Sequence, residues 1–178
     1  IGNGPVSIKN TLFDNDWTHI RINNAVAPIF HGNRTGNTGN GYVELAPSDW
    51  QGDLRITDNT ITKLNIKLMT KGVESLLIEN NTLDGISFDN YSVEQLGFNG
   101  NAVIRNNVIN NNDTFLPAIV ELNYRNGDGN FLLEDNNGEF QVNLRNMVSP
   151  PDATDYKRQV RNNKGIRGIY MENVYRTV

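Results

Sequence analysis

Apolar and polar positions along the chain follow a short pattern that recurs at a nearly regular spacing. Each copy consists of an aliphatic residue, any residue, Asn or Asp, and a final Asn. The final Asn of the five clear copies stands at positions 59, 81, 107, 136 and 163, at intervals of 22, 26, 29 and 27 residues. A weaker sixth copy is Ile20–Asn23. This period predicts a solenoid, in which each repeat forms one coil and stacks on its neighbours.

Short segments between these copies alternate apolar and polar residues, which is the period of a β-strand. They are residues 64–68, 85–88, 118–122, 140–144 and 169–171. No segment sustains the 3.6-residue apolar period of an amphipathic helix. Two or three short strands per repeat, joined by Asn and Gly turns, predict an all-β chain that folds as a parallel β-helix of about five to six coils.

The repeat also predicts the direction of its side chains, because successive strand residues point to opposite faces. The aliphatic residues are expected to stack in the core: Ile56, Ile78, Ile104, Leu133 and Val160. The residues after them are expected to face outward: Thr57, Glu79, Arg105, Glu134 and Arg161. The last four alternate in charge sign, and opposite charges on neighbouring strands contribute about 0.2–1 kcal/mol per pair. The alternation therefore supports this register.

The Asn pair of each copy is expected at a corner between strands. Asn tolerates the left-handed backbone conformation that a sharp bend needs. Stacked Asn side chains can also hydrogen-bond to the copies above and below, as in an Asn ladder. An architectural role accounts for these residues without any functional one.

Asparagine dominates the composition, with 30 of 178 residues. Because Asn forms turns well and helices poorly, its abundance favours a turn-rich β fold. A single β-helix domain over residues 1–178 is expected, as a fragment of a longer chain. Two interruptions are predicted to be loops: the Gly- and Asn-rich residues 31–42 and the Pro-containing residues 149–156.

Charge and missing residue types narrow the function classes. With 16 Lys and Arg against 20 Asp and Glu, the net charge is −4, unlike the basic surface of a nucleic-acid-binding domain. No apolar run approaches the ~18 residues of a membrane-spanning helix, so no membrane insertion is predicted. The chain has no Cys and only two His, which excludes disulfides, Cys-ligated zinc and a multi-His metal site within one chain. No cofactor or metal is predicted.

Two segments carry a family resemblance. Ile78–Leu83 and Ile104–Ile109 resemble coils of right-handed parallel β-helices of the pectate-lyase-like superfamily. That superfamily includes bacterial polysaccharide lyases and hydrolases and bacteriophage tailspikes. The resemblance implies right-handed coiling, an extracellular or virion-surface location and contact with carbohydrate. Tailspikes of this kind are usually homotrimers, so the resemblance also implies a homotrimer.

Paired carboxylates are the expected catalytic equipment if the protein is an enzyme. A glycosidase needs two carboxyl groups roughly 5–9.5 Å apart, and outward acids on neighbouring coils would lie about 4.8 Å apart. The candidates are Asp84, Asp89 and Glu121, of which Glu121 lies between apolar neighbours. A polysaccharide lyase would also need a cation to hold the sugar carboxylate. Arg105, Arg125 and Arg145 are available for that role.

Sugar binding makes smaller demands, since it needs aromatic faces beside hydrogen-bonding side chains. The candidate binding residues are Trp50, Tyr91, Tyr124, Arg125 and Asp128, and Trp17 and Tyr170 could supply further aromatic faces. Five or six coils would make a stack of only ~25–30 Å. The sequence therefore favours a β-helix segment of a virion tailspike, tail fibre or surface adhesin that binds host-surface carbohydrate. The alternative is a polysaccharide lyase or glycoside hydrolase of the same fold.

Overall fold

The structure, a computed structural model, describes residues 5–14, 17–23, 26–35, 42–48, 52–68, 73–90, 101–110, 118–127, 130–147 and 158–174. All regular elements in these ranges are β-strands. In chain order they are β1 (Pro5–Lys9), β2 (Leu12–Phe13), β3 (Trp17–Asn23), β4 (Val26–His31), β5 (Arg34–Thr35), β6 (Tyr42–Ser48), β7 (Gly52–Thr57), β8 (Thr60–Ile61), β9 (Lys63–Leu68), β10 (Val73–Glu79), β11 (Thr82–Leu83), β12 (Ile86–Asn90), β13 (Asn101–Arg105), β14 (Val108–Asn110), β15 (Ala118–Gly127), β16 (Phe131–Glu134), β17 (Asn137–Met147), β18 (Arg158–Arg161) and β19 (Lys164–Val174).

The strands stack as a parallel β-solenoid, as the sequence predicts. The first strands of the coils form one parallel sheet in the order β1-β4-β7-β10-β13-β16-β18. The short second strands and the third strands belong to another sheet, where β17 and β19 each serve as second and third strand together. Each coil therefore contributes up to three strand segments, which carries the chain once around the solenoid.

The number of coils differs from the prediction. Four coils, residues 52–68, 73–90, 130–147 and 158–174, are described from first strand to third without a gap, against the five to six predicted. The first sheet holds seven strands among the described residues. The other three coils contain ranges outside the described part of the chain, so the seven strands are not seven fully described coils.

The predicted corners are confirmed. Register pairs Ile56 with Ile78, Ile78 with Ile104, and Ile104 with Leu133. All four side chains are buried, at 1% exposure or less. Because these positions repeat in every coil, the core is a set of parallel columns of aliphatic side chains running along the solenoid axis.

The two Asn positions of each corner have different roles. The first has a positive φ angle of 53–58° at Asp58, Asn80, Asn106, Asp135 and Asn162. The second, from Asn59 to Asn136, is about 1% exposed and hydrogen-bonds between coils. Either Asx residue can adopt the left-handed conformation. Only Asn offers both the acceptor and the donor that the inter-coil ladder uses.

The weaker copy predicted at Ile20–Asn23 is wrong. Those residues lie in β3, a third strand, whose Ile20 pairs with Leu45. The corner before Asp58 is instead Phe30-His31-Gly32-Asn33, where Gly32 has φ 64° and Asn33 Nδ2 donates to Asn59 Oδ1 at 3.1 Å. Gly replaces Asx because both reach the left-handed region.

The predicted loop at 31–42 overlaps this corner. Residues 31–35 complete β4, make the turn and form β5. Tyr42 begins β6, and 36–41 lie outside the described residues. The predicted loop at 149–156 also lies outside them.

Glycine lets the long strands bend where other coils have a corner. In β17 and β19, Gly138 and Gly165 have φ angles of 137° and 84°. A methyl group at Gly165 would overlap the carbonyl of Gly138, and one at Gly138 would overlap that of Ile109. The stacked glycines allow close backbone approach, so the second and third strands of these coils run on as one.

Candidate binding surface

Charged side chains form one column on the outer face of the first sheet. Glu79 Oε1 accepts a hydrogen bond from Arg105 Nε at 2.7 Å, and Arg161 Nη2 lies 2.8 Å from Glu134 Oε2. The predicted sign alternation is therefore confirmed as inter-coil ion pairs. These inter-coil ion pairs stabilise the stack.

The outward positions of the third strands make a separate surface. Register aligns Glu121 with Asn143 and Asn143 with Tyr170 across β15, β17 and β19. Gln141 and Arg145 flank Asn143 on the same face of β17. We call these five residues the third-strand face. Alternation places Val142 and Leu144 on the opposite, core side, where both are fully buried.

An arginine bridges two carboxylates on the third-strand face. Arg145 Nη1 lies 3.2 Å from Glu121 Oε1, and Arg145 Nε lies 3.6 Å from Glu172 Oε2. The Glu121 side chain is 29% exposed. Its apolar sequence neighbours Val120 and Leu122 point into the core, so they do not enclose the carboxylate. Glu121 is thus held by a cation at the surface.

Amide and aromatic groups lie beside this ion pair. Gln141 Nε2 donates to Asn143 Oδ1 at 2.7 Å, and Asn143 is only 8% exposed. Tyr170, by contrast, is 60% exposed. A methyl group at Gly168 would lie 3.0 Å from a ring carbon of Tyr170, so the missing side chain at Gly168 leaves room for the ring. The face therefore offers an aromatic ring, amides and a bridged ion pair.

A second asparagine ladder borders this surface. Asn146 Nδ2 donates to Asn123 Oδ1, and Asn173 Nδ2 donates to Asn146 Oδ1, each at 3.1 Å. Asn146 and Asn173 both have positive φ angles, so they mark another corner of the coil. This ladder was missed in the sequence. Its sequence signal is a charged residue followed directly by Asn. This pair occurs at Arg145-Asn146 and again 27 positions later at Glu172-Asn173.

The structure describes the backbone of all three predicted catalytic candidates. Asp84 lies at the bend between β11 and β12, where its N–H donates to Thr62 O at 2.8 Å. Asp89 lies in β12 and pairs with Asn123, two positions along the strand from the partner of Glu121. Arg145 is in contact with Glu121, and the side chain of Asp89 lies outside the described set.

Three of the five predicted binding residues lie outside the described part of the chain, and the other two lie in β15. Tyr124 and Arg125 lie in β15, at the third-strand side of the solenoid, with side chains outside the described set. Trp50, Tyr91 and Asp128 lie outside the described residues altogether. Gln141 and Asn143 were not singled out in the sequence, because polar residues in an alternating strand signal only an outward face.

A shallow groove lies on the first sheet, away from the third-strand face. It has a volume of about 260 Å³ and is lined by Asn101, Ala102, Val103, Asn130, Phe131, Leu132 and Gln159. Asn130 Nδ2 donates to Asn101 Oδ1 at 3.0 Å on its rim. Few polar groups converge on this groove, so it is a weaker candidate for sugar binding than the third-strand face.

Metal and membrane sites receive no support from the described residues. Within those ranges, no three His, Asp or Glu side chains are grouped so that they could hold a metal ion. In the same part of the chain, no helix has the length and apolar character needed to cross a membrane.

Comparison with protein families, with curated proteins and with solved structures found no match to this chain. What the structure shares with the resemblance stated above is the parallel solenoid and its buried asparagine ladder.

Proposed function

We propose that this protein is a β-solenoid segment of a virion tailspike, tail fibre or surface adhesin, and that its third-strand face binds host-surface carbohydrate. The observation that carries the proposal is the alignment of exposed Tyr170 with Asn143 and Glu121 in successive coils. An aromatic ring can pack on the apolar face of a sugar, while amides and ion-paired groups hydrogen-bond its hydroxyls.

The spacing of the face suits a polymeric ligand. Neighbouring coils present equivalent positions about 4.8 Å apart, so three coils place binding groups over roughly 10 Å of surface. Glu121 and Arg145 hold each other in position, and Gln141 is held by Asn143. Groups fixed in this way lose little conformational entropy on binding. The face can therefore bind a ligand whose individual contacts are weak, such as a surface polysaccharide.

A glycan microarray of bacterial and animal cell-surface polysaccharides tests the proposal. We expect binding by the wild-type protein and a loss of about tenfold in affinity for Tyr170→Ala, since exposed aromatic anchors dominate such contacts. Arg55→Ala is the matched control, because Arg55 is exposed on the first sheet and outside the face. No binding to any glycan, or equal losses in both variants, would contradict the proposal.

A polysaccharide-degrading enzyme is the second candidate, and one observation favours it. The Glu121 carboxylate is partly shielded and lies against Arg145, a cation that could hold a substrate carboxylate. Release of reducing ends or of unsaturated uronic acid from a bound polysaccharide would support this function. Glu121→Gln should then abolish turnover while binding persists, because it removes a proton-transfer group and keeps the shape. Binding without turnover would leave the non-catalytic role.

The proposed fibre role includes an extracellular or virion-surface location and a homotrimer. Half-buried apolar residues on the outer face of the first sheet, Leu77, Val103 and Leu132, support lateral association. They align in successive coils, which places an apolar stripe along the solenoid between polar columns. Such a stripe can pack against the same stripe of a parallel copy.

A further inference from the structure

An exposed apolar side chain lies beside the third-strand face, in a middle coil. Ile119 is 42% exposed on the outer side of β15, two positions before Glu121. Val120, between them, is fully buried on the core side. Register aligns Ile119 with Gln141 and Glu121 with Asn143 of the next coil. A ligand on the face therefore meets an apolar contact beside carboxylate and amide groups.

Glycines keep both flanks of the Ile119–Gln141 pair open. A methyl group at Gly85 would lie 3.1 Å from Ile119 O, so Gly85 is the neighbour of Ile119 in the preceding coil. On the other flank, Gly168 aligns with Gln141 in the following coil. Neither glycine places a side chain against the pair. A ligand group therefore has room beside both side chains.

The polar groups around Ile119 are held in place and keep hydrogen-bonding capacity. Gln141 Nε2 donates to Asn143 Oδ1 at 2.7 Å. A primary amide carries two N–H donors, and in the contacts of the described residues this bond uses one of them. Glu121 Oε1 lies 3.2 Å from Arg145 Nη1, and a carboxylate has about four acceptor sites. We call Ile119, Glu121 and Gln141 the β15–β17 subsite.

The β15–β17 subsite matches the chemistry of an acetamido group. In a trans amide, the N–H and the C=O point in opposite directions, and the methyl group of an N-acetyl substituent lies on the N–H side. β15 supplies the apolar Ile119 and the acceptor Glu121, whereas β17 supplies the donor Gln141. A hydroxyl group would leave Ile119 without an apolar partner, and a carboxylate would meet the like charge of Glu121.

The subsite lies one coil from the aromatic ring of the third-strand face. A methyl group at Gly168 would lie 3.0 Å from a ring carbon of Tyr170, so the ring stands beside Gly168. Gly168 aligns with Gln141, and neighbouring coils are about 4.8 Å apart. A sugar ring packed on Tyr170 can therefore extend one substituent onto Gln141 and Ile119.

We propose that the β15–β17 subsite binds the acetamido group of an N-acetylated amino sugar. The methyl group packs on Ile119, the N–H donates to the Glu121 carboxylate, and the C=O accepts from Gln141 Nε2. This inference rests on the proposed carbohydrate-binding function of the third-strand face. It names the substrate class as cell-surface polysaccharides that contain N-acetylhexosamine.

Changing the acyl group of the ligand tests the methyl contact. A polysaccharide that binds on the microarray is de-N-acetylated and then re-N-acylated with either formyl or acetyl groups. Isothermal titration calorimetry measures both forms with the intact protein. We expect the acetyl form to bind about fivefold more tightly, because the formyl form lacks the methyl group that Ile119 covers.

Substitutions in the protein make the test specific. Ile119→Thr keeps a β-branched strand residue and removes apolar surface, so it should bind the formyl form like wild type and lose the preference for acetyl. Gln141→Glu replaces the donor with an acceptor and should weaken both forms about tenfold. Val108→Thr is the matched control, because Val108 is 39% exposed on β14, outside the face. Thermal melting checks that each variant is folded.

The outcomes separate this inference from the proposed function. Absence of glycan binding would contradict carbohydrate binding by the face itself. Binding confined to glycans without acetamido groups, or an acetyl preference that persists in Ile119→Thr, would overturn the subsite and leave the face as a sugar-binding surface. Equal losses in Ile119→Thr and Val108→Thr would also overturn the subsite.

Discussion

The adjacent Asx and Asn residues of each corner carry separate physical roles. Asn106 is exposed and supplies a left-handed backbone conformation, with φ 54°. Asn107 is buried and connects three coils: its Nδ2 donates to Ile78 O and Asn136 Oδ1, and its Oδ1 accepts from Asn81. This division explains why Asp occurs at the first position and not at the second in the five clear copies.

Substitution of the two corner residues should therefore have unequal effects. Asn107→Ala should lower the free energy of unfolding by about 2–5 kcal/mol, because it leaves buried donors and acceptors of neighbouring coils unsatisfied. Asn106→Gly should stay within about 1 kcal/mol of wild type, since Gly adopts positive φ without strain. Urea denaturation of both variants measures the difference. Similar losses would contradict the assignment of separate roles.

The assignment of inward and outward side chains on the paired strands β10 and β13 can be tested with two substitutions. Ile104 is 1% exposed, and Ile104→Ala should cost about 2–5 kcal/mol by opening a cavity. Glu79 faces outward and pairs with Arg105 at 2.7 Å. Glu79→Ala should cost less than about 1 kcal/mol, because partly exposed ion pairs contribute little. Equal midpoints in denaturant would show that the inward and outward assignment is wrong.

Charges on the outer face of the first sheet favour one register between the strands of neighbouring coils. Glu79 pairs with Arg105, and Glu134 pairs with Arg161, in successive strands of the first sheet. Any slip of a strand by one residue would move these charges to the core side. The column therefore favours the native register as well as adding modest stability.

Reversing one charge in this column should destabilise the stack more than removing it. Arg105→Glu would place three carboxylates on adjacent strands, whereas Arg105→Ala only removes a pair. We expect Arg105→Glu to be less stable by about 0.5–1 kcal/mol than Arg105→Ala at low salt. The difference should shrink in 1 M NaCl, where the Debye length falls to about 3 Å. A difference that does not depend on salt would contradict an electrostatic origin.

Among the described residues, the first sheet carries an apolar stripe and the other sheet carries the polar third-strand face. The stripe consists of Leu77, Val103 and Leu132, which lie at equivalent positions of β10, β13 and β16. The third-strand face belongs to the other sheet. Lateral association through the stripe would therefore leave the proposed carbohydrate surface open.

Association through this stripe is the prediction at the scale of the molecule. Sedimentation equilibrium should give a mass of three 20.0 kDa chains. Leu132→Lys should shift the equilibrium to monomer, because it places a charge in the apolar contact. Glu139→Ala, at an exposed position of β17 in the other sheet, is the control. A stable 20.0 kDa wild-type monomer would remove the trimeric role and favour a simple adhesin or an enzyme fragment.

The stacked repeat is the part of this protein that the sequence by itself determined. Aliphatic residues at 56, 78, 104 and 133 are buried, and charges at 79, 105, 134 and 161 alternate, as their spacing predicts. Both columns depend only on the residue types of one short motif, and each column forms because the motif recurs in successive coils. The same logic missed Asn33, because Gly32 performs the left-handed turn without matching an Asx pattern.

Only the tertiary structure decided which side chains meet across coils away from that motif. Arg145 lies between Glu121 and Glu172, 24 residues after one and 27 before the other. The interval between equivalent corner Asn residues varies from 22 to 29 residues, so these neighbours have no fixed sequence interval. Exposure of Ile169 and Met171 is likewise set by position in the stack, since their pattern matches the buried coils. Local chemistry specifies each coil, whereas the side-chain contacts between coils follow from how the coils are stacked.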